Sequence, residues 1–293
     1  MAFNWKTFRT RTLTAIIFAA VMLAGLLWDQ WSFLVLFSII HFGCWWEYFN
    51  LLEKIYNTTY HRYTKLGFML AGYAIMLGFC GPIFEINDYR LKDNFSFPVS
   101  IAGFVMLGMG IFQTKNINLK AFGTATIGLL YISLSWGLMV NLYKETDISI
   151  HDTKLVFGNP RIPLMIIVSI WINDTMAYIV GSLIGKTPLS KISPKKTWEG
   201  TIGGIILSVG VVGLAVFYGL FNSWPVAIAI MILAGIASIT GTFGDLLESK
   251  LKRMAGVKDS GNIMPGHGGF LDRFDSLLLA VPAVWLYVFL FMK

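Results

Sequence analysis

The chain has 293 residues, of which 56% are hydrophobic and 13% charged, and its mean hydropathy is +0.66. A soluble domain carries about 25% charged residues, so a water-facing globule is excluded and lipid is the main solvent of this chain. The formal net charge of +7 would suit either nucleic acid or a membrane, and the positions of the cations decide between them.

Crossing a bilayer takes about 20 apolar residues per helix. Backbone groups in lipid must pair internally, and the alternating pattern of a β-barrel is absent. The reading is an all-α polytopic membrane protein with about nine transmembrane helices, at roughly 12–28, 31–51, 65–84, 97–112, 121–142, 162–185, 200–220, 224–246 and 275–292. The first span follows Lys6, Arg9 and Arg11 like a signal peptide. Its apolar run is too long, and no small-residue cleavage site follows, so an uncleaved first span is expected. The second carries His41 and Glu47, with Trp45 and Trp46 expected as interfacial anchors. Glu47 lies near the inner end, where it either snorkels or faces the bundle. Cys44 and Cys80 sit in apolar runs and read as small buried hydrophobes, not as a disulfide or zinc pair. The loops 85–96 and 143–161 are acidic or mixed, and His151 and Asp152 are expected in solvent. No internal repeat or linker is visible. The reading is one polytopic domain over 1–293, with residues 1–160 as N-terminal helices and 161–293 bearing the polar motifs.

Lys and Arg concentrate in cytoplasmic loops. With the N-terminus in the cytoplasm, the outer segments hold only Arg90, Lys92, Lys144, Lys154, Arg161 and Lys293 of the 23 basic residues. The rest lie inside, densest at 185–200 and 247–275. The basic excess is therefore topological, and no nucleic-acid partner is expected.

Those two inner loops combine cations with embedded carboxylates. Cations bind phosphate oxygens, and carboxylates hold a hard metal ion that neutralises them. Thr242, Asp245 and Ser249 recur at three- and four-residue spacing and share a helix face, with Asp245 a candidate metal ligand or a partner of Lys252. Asp272 and Asp275 share the first turn of the last helix, where carboxylates also favour the macrodipole. Pro265-Gly266-His267-Gly268-Gly269 precedes them, and such glycines let backbone amides approach an anion. His267 is a candidate phosphate contact or proton donor. Lys195, Lys196 and Thr197 add to the second basic loop, while Gly200 and Gly204 could serve only helix packing. Asn173-Asp174 lies in mid-span, where a charge costs about 2.5–3.5 kcal/mol and so must face a polar interior. Gly181 to Thr187 lacks one residue and the strand that a P-loop needs.

The run Ser249-x-Leu251-Lys252-Arg253-x₄-Lys258-Asp259-x-Gly261-x₂-Met264-Pro265-x-His267-Gly268-Gly269-Phe270-x-Asp272-Arg273-Phe274-Asp275 resembles the signature of the phosphatidate cytidylyltransferase (CDP-diacylglycerol synthase) family. Met264 replaces that pattern's Leu, Ile or Phe, a size-conserving change. Asn173-Asp174-x₂-Ala177-Tyr178-x₂-Gly181 and Ser193-Pro194-x-Lys196-Thr197-x-Glu199-Gly200 agree as well, so the likeness spans the chain from about 173 onward. The resemblance implies that CTP and phosphatidate give CDP-diacylglycerol and pyrophosphate, with Mg²⁺ and a homodimer in the lipid bilayer. A bacterial inner-membrane protein is expected, and the Lys and Arg bias puts its site on the cytoplasmic side. By the same likeness Asp245 and Asp272 are metal ligands with Asp275 close by. Lys252, Arg253, Lys258, His267 and Arg273 join them in catalysis. Asn173, Asp174, Ser193, Lys196, Thr197, Glu199, Ser249, Asp259, Gly268 and Gly269 are expected to contact substrate. Two other readings use the same residues. One is a CTP-dependent enzyme acting on an isoprenoid lipid. The other is a secondary transporter built on Asp174, against which the odd span count and the missing repeat both argue.

Overall fold

In a computed structural model the chain is described over residues 5–143, 146–150, 153–157, 160–263 and 268–292. Its helices are α1 (Trp5–Leu27), α2 (Gln30–Tyr56), α3 (Arg62–Gly78), α4 (Leu91–Gln113), α5 (Leu119–Leu142), α6 (Arg161–Ile184), α7 (Trp198–Phe221), α8 (Trp224–Met254) and α9 (Leu271–Phe291). Seven of them are long and apolar enough to cross a membrane. The other two, α1 and α3, fall on the first and third expected spans, and α3 has 17 residues. Two antiparallel hairpins, β1–β2 (Glu85–Ile86 with Tyr89–Arg90) and β3–β4 (Thr146–Ile150 with Thr153–Phe157), occupy the loops that carried no motif. The chain is thus an all-α polytopic integral membrane protein.

Two compact units result, one of Met1–Asn141 with Leu251–Phe274, the other of Leu142–Lys250 with Asp275–Lys293. The boundaries fall at the end of α5 and inside α8 and α9, so each unit is discontinuous in sequence.

The first unit is built around α2. Asp29 caps this helix and forms a capping box with Ser32, satisfying amides that the first turn leaves open. Asn57 ends it in the left-handed region at φ 46°. Glu53 then closes the turn into α3, accepting from the Tyr60 amide at 2.8 Å and pairing with Lys65 at 2.9 Å. Trp45 is not an interfacial anchor. It is fully buried, stacks on Phe68 and donates to Ser133 Oγ at 2.9 Å. Trp46 faces outward with Lys65 over its ring. Hydropathy cannot tell the two apart, because only the helix face decides which one meets the core. His41 is also buried and shares Ser133 with Trp45, at 3.0 Å. Ser133 sits in a π-helical turn, Leu129–Leu134, within α5. Where α3 meets α4, a Cβ on Gly67 would lie 2.6 Å from the Leu107 amide, and one on Gly103 would lie 2.6 Å from that of Ala71. Small residues of this kind let helices approach closely where lipid supplies no hydrophobic drive. The opposite side of α4 exposes Phe97, Phe104 and Phe112, as expected of a lipid-facing helix.

In the second unit, α6 and α7 pack by the same device. Gly200 and Gly204 face α6, where added Cβ atoms would lie 2.6 Å from the Ala177 carbonyl and 2.7 Å from that of Asn173. Ser208 donates across this contact to the Ser169 carbonyl at 2.8 Å. Gly244 of α8 lies against the Asp275 backbone of α9 with no room for a side chain, and Tyr287 donates to the Ala229 carbonyl at 3.1 Å.

Candidate active site

Expected site residues collect in two groups, one in each unit. In the second unit they surround a cavity of about 510 Å³ lined by Asn173, Asp174, Tyr178, Ser193, Lys196, Thr242 and Asp245, among others. Thr242 and Asp245 line it together, and Ser249 Oγ donates to Asp245 Oδ1 at 3.2 Å, so the face-sharing inferred from spacing holds. Lys196 Nζ donates to Asp245 Oδ2 as an ion pair. Asp174 and Asp245 thus share the cavity wall with Lys196. Asn173 lies in the cavity wall at 2% exposure, donates weakly to Asp174 at 3.4 Å, and keeps a buried Oδ1 without a hydrogen-bond partner among the described residues. A buried acceptor of this kind costs free energy until something donates to it. Asp275 is buried and accepts from the Ser276 amide at 2.6 Å.

The loop before α7 folds back on itself. The Leu189 amide donates to the Lys196 carbonyl at 2.7 Å, and that of Trp198 to Thr187 at 2.9 Å. Thr197 caps α7 through the Gly200 amide at 3.1 Å. Glu199 accepts from the amides of Lys186 and Thr187 at 3.2 Å. Of these two expected substrate contacts, Thr197 lines the cavity as well as capping, while Glu199 holds the loop that presents Ser193, Lys195 and Lys196.

Helix α8 continues to Met254, past the apolar span that hydropathy ends at 246 and past Ser249, where the shared face with Thr242 and Asp245 ends. Ser249, Lys252 and Arg253 are therefore helical. Gly256, at φ +68°, turns the chain away, with the Val257 amide donating to Lys252 O and that of Gly256 to Arg253 O, a Schellman ending. Arg253 reaches the Val257 carbonyl at 3.3 Å, and Lys258, Asp259 and Arg273 are exposed. Asp272 opens α9. Its Oδ1 accepts from Lys252 Nζ at 2.6 Å, and its Oδ2 from the amides of Ser260 and Gly269 at 2.8 Å each. Gly268 stands at φ +82°, with the Asp272 carboxylate where a side chain would go. His267, with Met264, Pro265 and Gly266, lies outside the described residues.

Sequence reasoning gave Glu47 two possible orientations and passed over Ser260. Glu47 is 1% exposed and accepts from Ser260 Oγ at 2.7 Å and from the amides of Phe270 and Leu271 at 2.9 Å each. The only available signal was a carboxylate in an apolar span, which demands a partner somewhere.

Among the described residues no three His, Cys, Asp or Glu side chains form a ready metal cage. Mg²⁺ does not need one. It commonly takes one or two carboxylates and completes its shell with water and substrate phosphates. The hard oxygens of Asp245, beside Asp174 and Asp275, fit that demand. Asp272 fits it only through the second lone pair of Oδ1, since Oδ2 is filled by loop amides and Oδ1 already accepts from Lys252 Nζ.

The model of the cytidylyltransferase family matches residues 9–291. A phosphatidate cytidylyltransferase of Staphylococcus saprophyticus is 31% identical over 278 residues, covering 94% of this chain and 96% of that protein. One from Aquifex aeolicus is 36% identical over 199 residues, covering 68% and 67%. A chloroplastic phosphatidate cytidylyltransferase of Arabidopsis thaliana is 49% identical over 106 residues, 36% of this chain and 26% of that protein.

Proposed function

The chain belongs to the cytidylyltransferase family, and on that premise we propose that it transfers the cytidylyl group of CTP to phosphatidate. The observation that carries this reading is the cavity of about 510 Å³ in a lipid-embedded helical unit, with Lys196 and Asp245 in its wall. The name borne by the full-length relative from S. saprophyticus supports the choice of substrates.

In the proposed step an oxygen of the phosphatidate phosphate attacks the α-phosphorus of CTP. A new P–O–P link forms, the bond to the β-phosphate breaks, and pyrophosphate leaves with the electron pair. Both reactants are anions, so their repulsion is the main obstacle. Lys195 and Lys196 offset it beside the cavity, and Ser193 and the Asn173 carboxamide orient polar groups there. Lys252, Arg253, Lys258 and Arg273 are proposed to add positive charge for the same purpose. The nucleophile is already an oxyanion, so no Ser or Cys intermediate is required. Asp245 and Asp275 are the carboxylates of the second unit proposed to hold Mg²⁺, and Asp272 of the first unit is proposed, separately, as a metal ligand through Oδ1. When bound, Mg²⁺ would supply charge neutralisation at phosphate oxygens. A homodimer in the bacterial inner membrane, with the site on the cytoplasmic side, completes the proposal, and the crowding of Lys and Arg at 185–200 and 247–275 supports that side.

The test is incubation of the purified protein with CTP labelled in the cytidine, phosphatidate and Mg²⁺, followed by lipid extraction. Label should enter the lipid phase as CDP-diacylglycerol. Label that enters only when an isoprenoid lipid replaces phosphatidate would overturn the choice of substrate.

A further inference from the structure

We infer that Glu47 of α2 is the positioning residue that fixes the Asp272 loop, and that it acts on the reaction through Asp272 without touching substrate. The inference rests on the proposed cytidylyl transfer for its kinetic half, and on the geometry of the first unit alone for its structural half.

Glu47 is a buried carboxylate whose hydrogen-bond partners lie more than 200 positions away in the chain. Oε1 accepts from the Phe270 amide at 2.9 Å, and Oε2 from the Leu271 amide at 2.9 Å and Ser260 Oγ at 2.7 Å. These amides belong to the entry of α9, where helix N–H groups have no partner in the helix. Ser260 links onward. Its amide donates to Asp272 Oδ2 at 2.8 Å, and its hydroxyl lies 2.9 Å from the same oxygen. The hydroxyl has one proton, so it is shared between the two carboxylates, and the backbone amide is the constant tie to Asp272.

A second, independent observation is steric. A Cβ on Gly269 would fall on both carboxylate oxygens of Glu47, and one on Gly261 would fall on Oε1. Two glycines of the 249–275 signature are therefore glycine because a side chain from α2 fills their space. One turn earlier, Gly43 clears room for the Phe270 ring, which would collide with a Cβ there. Helix α2 thus grips this loop through a carboxylate and a ring slot.

Glutamine cannot replace Glu47 neutrally. Whichever way its amide is turned, the NH₂ meets the N–H of Phe270 or Leu271, donor against donor, so one buried amide loses its acceptor. Aspartate keeps both oxygens but withdraws them by one methylene.

The test has two readouts. The first is hydrogen exchange over 268–272 in the full-length protein in detergent. The peptide should be protected in the wild type and exchange about tenfold faster or more in Glu47→Gln, as local opening becomes cheaper. The second is kcat per folded protein for CTP-dependent pyrophosphate release with phosphatidate. Glu47→Gln should lower kcat at least about tenfold with little change in KM for CTP, the pattern of lost positioning rather than lost binding. In an Asp272→Asn background the same change should have almost no further effect, since residues acting as a unit are non-additive. Glu47→Asp should partly rescue Gly269→Ala by drawing the carboxylate away. If Glu47→Gln does not fold, Ser260→Ala, which removes the hydroxyl bridge alone, should lower kcat several-fold. Wild-type exchange in Glu47→Gln, kcat losses that simply multiply with Asp272→Asn, or full activity in Ser260→Ala would overturn the inference. An inactive wild type would instead overturn the proposed function, and the exchange result would still decide the role of Glu47.

Discussion

Lys196 and Asp245, 49 positions apart in sequence, form an ion pair beside the cavity of the second unit. Their side chains keep 29% and 28% of their exposure, so the pair stabilises the fold by only about 0–1 kcal/mol. The proposed function gives it a role in charge placement. Lys196→Met should leave the thermal midpoint in detergent within a few degrees and lower phosphatidate-dependent turnover about 10²-fold, the size typical of losing one electrostatic contact to a developing charge. Lys196→Arg should not restore it, because a planar fork does not occupy the place of a point charge. Turnover in Lys196→Met within a factor of two of the wild type would contradict this role.

Thr197 and Glu199 hold the loop that carries Lys196. Thr197→Ala removes the cap at the Gly200 amide and should cost about 1 kcal/mol, whereas Thr197→Ser should not. Glu199→Gln sets an NH₂ against the Lys186 or Thr187 amides. It should raise KM for CTP several-fold and shift the thermal midpoint little. Steady-state kinetics on the two variants separates capping from loop placement.

Gly204 lies where α6 and α7 touch, with the Asn173 carbonyl 2.7 Å from any added Cβ. Gly204→Ala should destabilise by about 1–3 kcal/mol, the usual cost of overpacking, and should disturb Asn173 as well. Gly210, where nothing lies within 4 Å of an added Cβ, is the control: Gly210→Ala should leave the activity unchanged and hold or slightly raise the thermal midpoint, since alanine is the better helix former. Equal effects at both positions, followed by thermal scanning, would contradict the close crossing.

The helices were legible because a bilayer demands length and apolarity together, and long runs such as those in α2, α6 and α7 satisfy both. The end of α8 was not. Hydropathy reports where lipid stops, and Leu251-Lys252-Arg253 continue the helix in a polar setting to Met254. The spacing of Thr242, Asp245 and Ser249 gave their shared face, because that relation is local. The Lys196–Asp245 pair and the grip of Glu47 on Ser260 and Leu271 are long-range relations, and no single-sequence period encodes them. Trp45 shows the same gap: its neighbours Phe68 and Ser133, not its own position in the span, decide that it is core.

The most direct test of the assigned chemistry is phosphatidate-dependent release of pyrophosphate from CTP by the wild type and by Asp245→Asn, with equal folding of both verified by thermal unfolding. The account predicts steady release by the wild type and loss of at least about 10²-fold in the variant at an unchanged thermal midpoint. Release by Asp245→Asn at near the wild-type rate would contradict it.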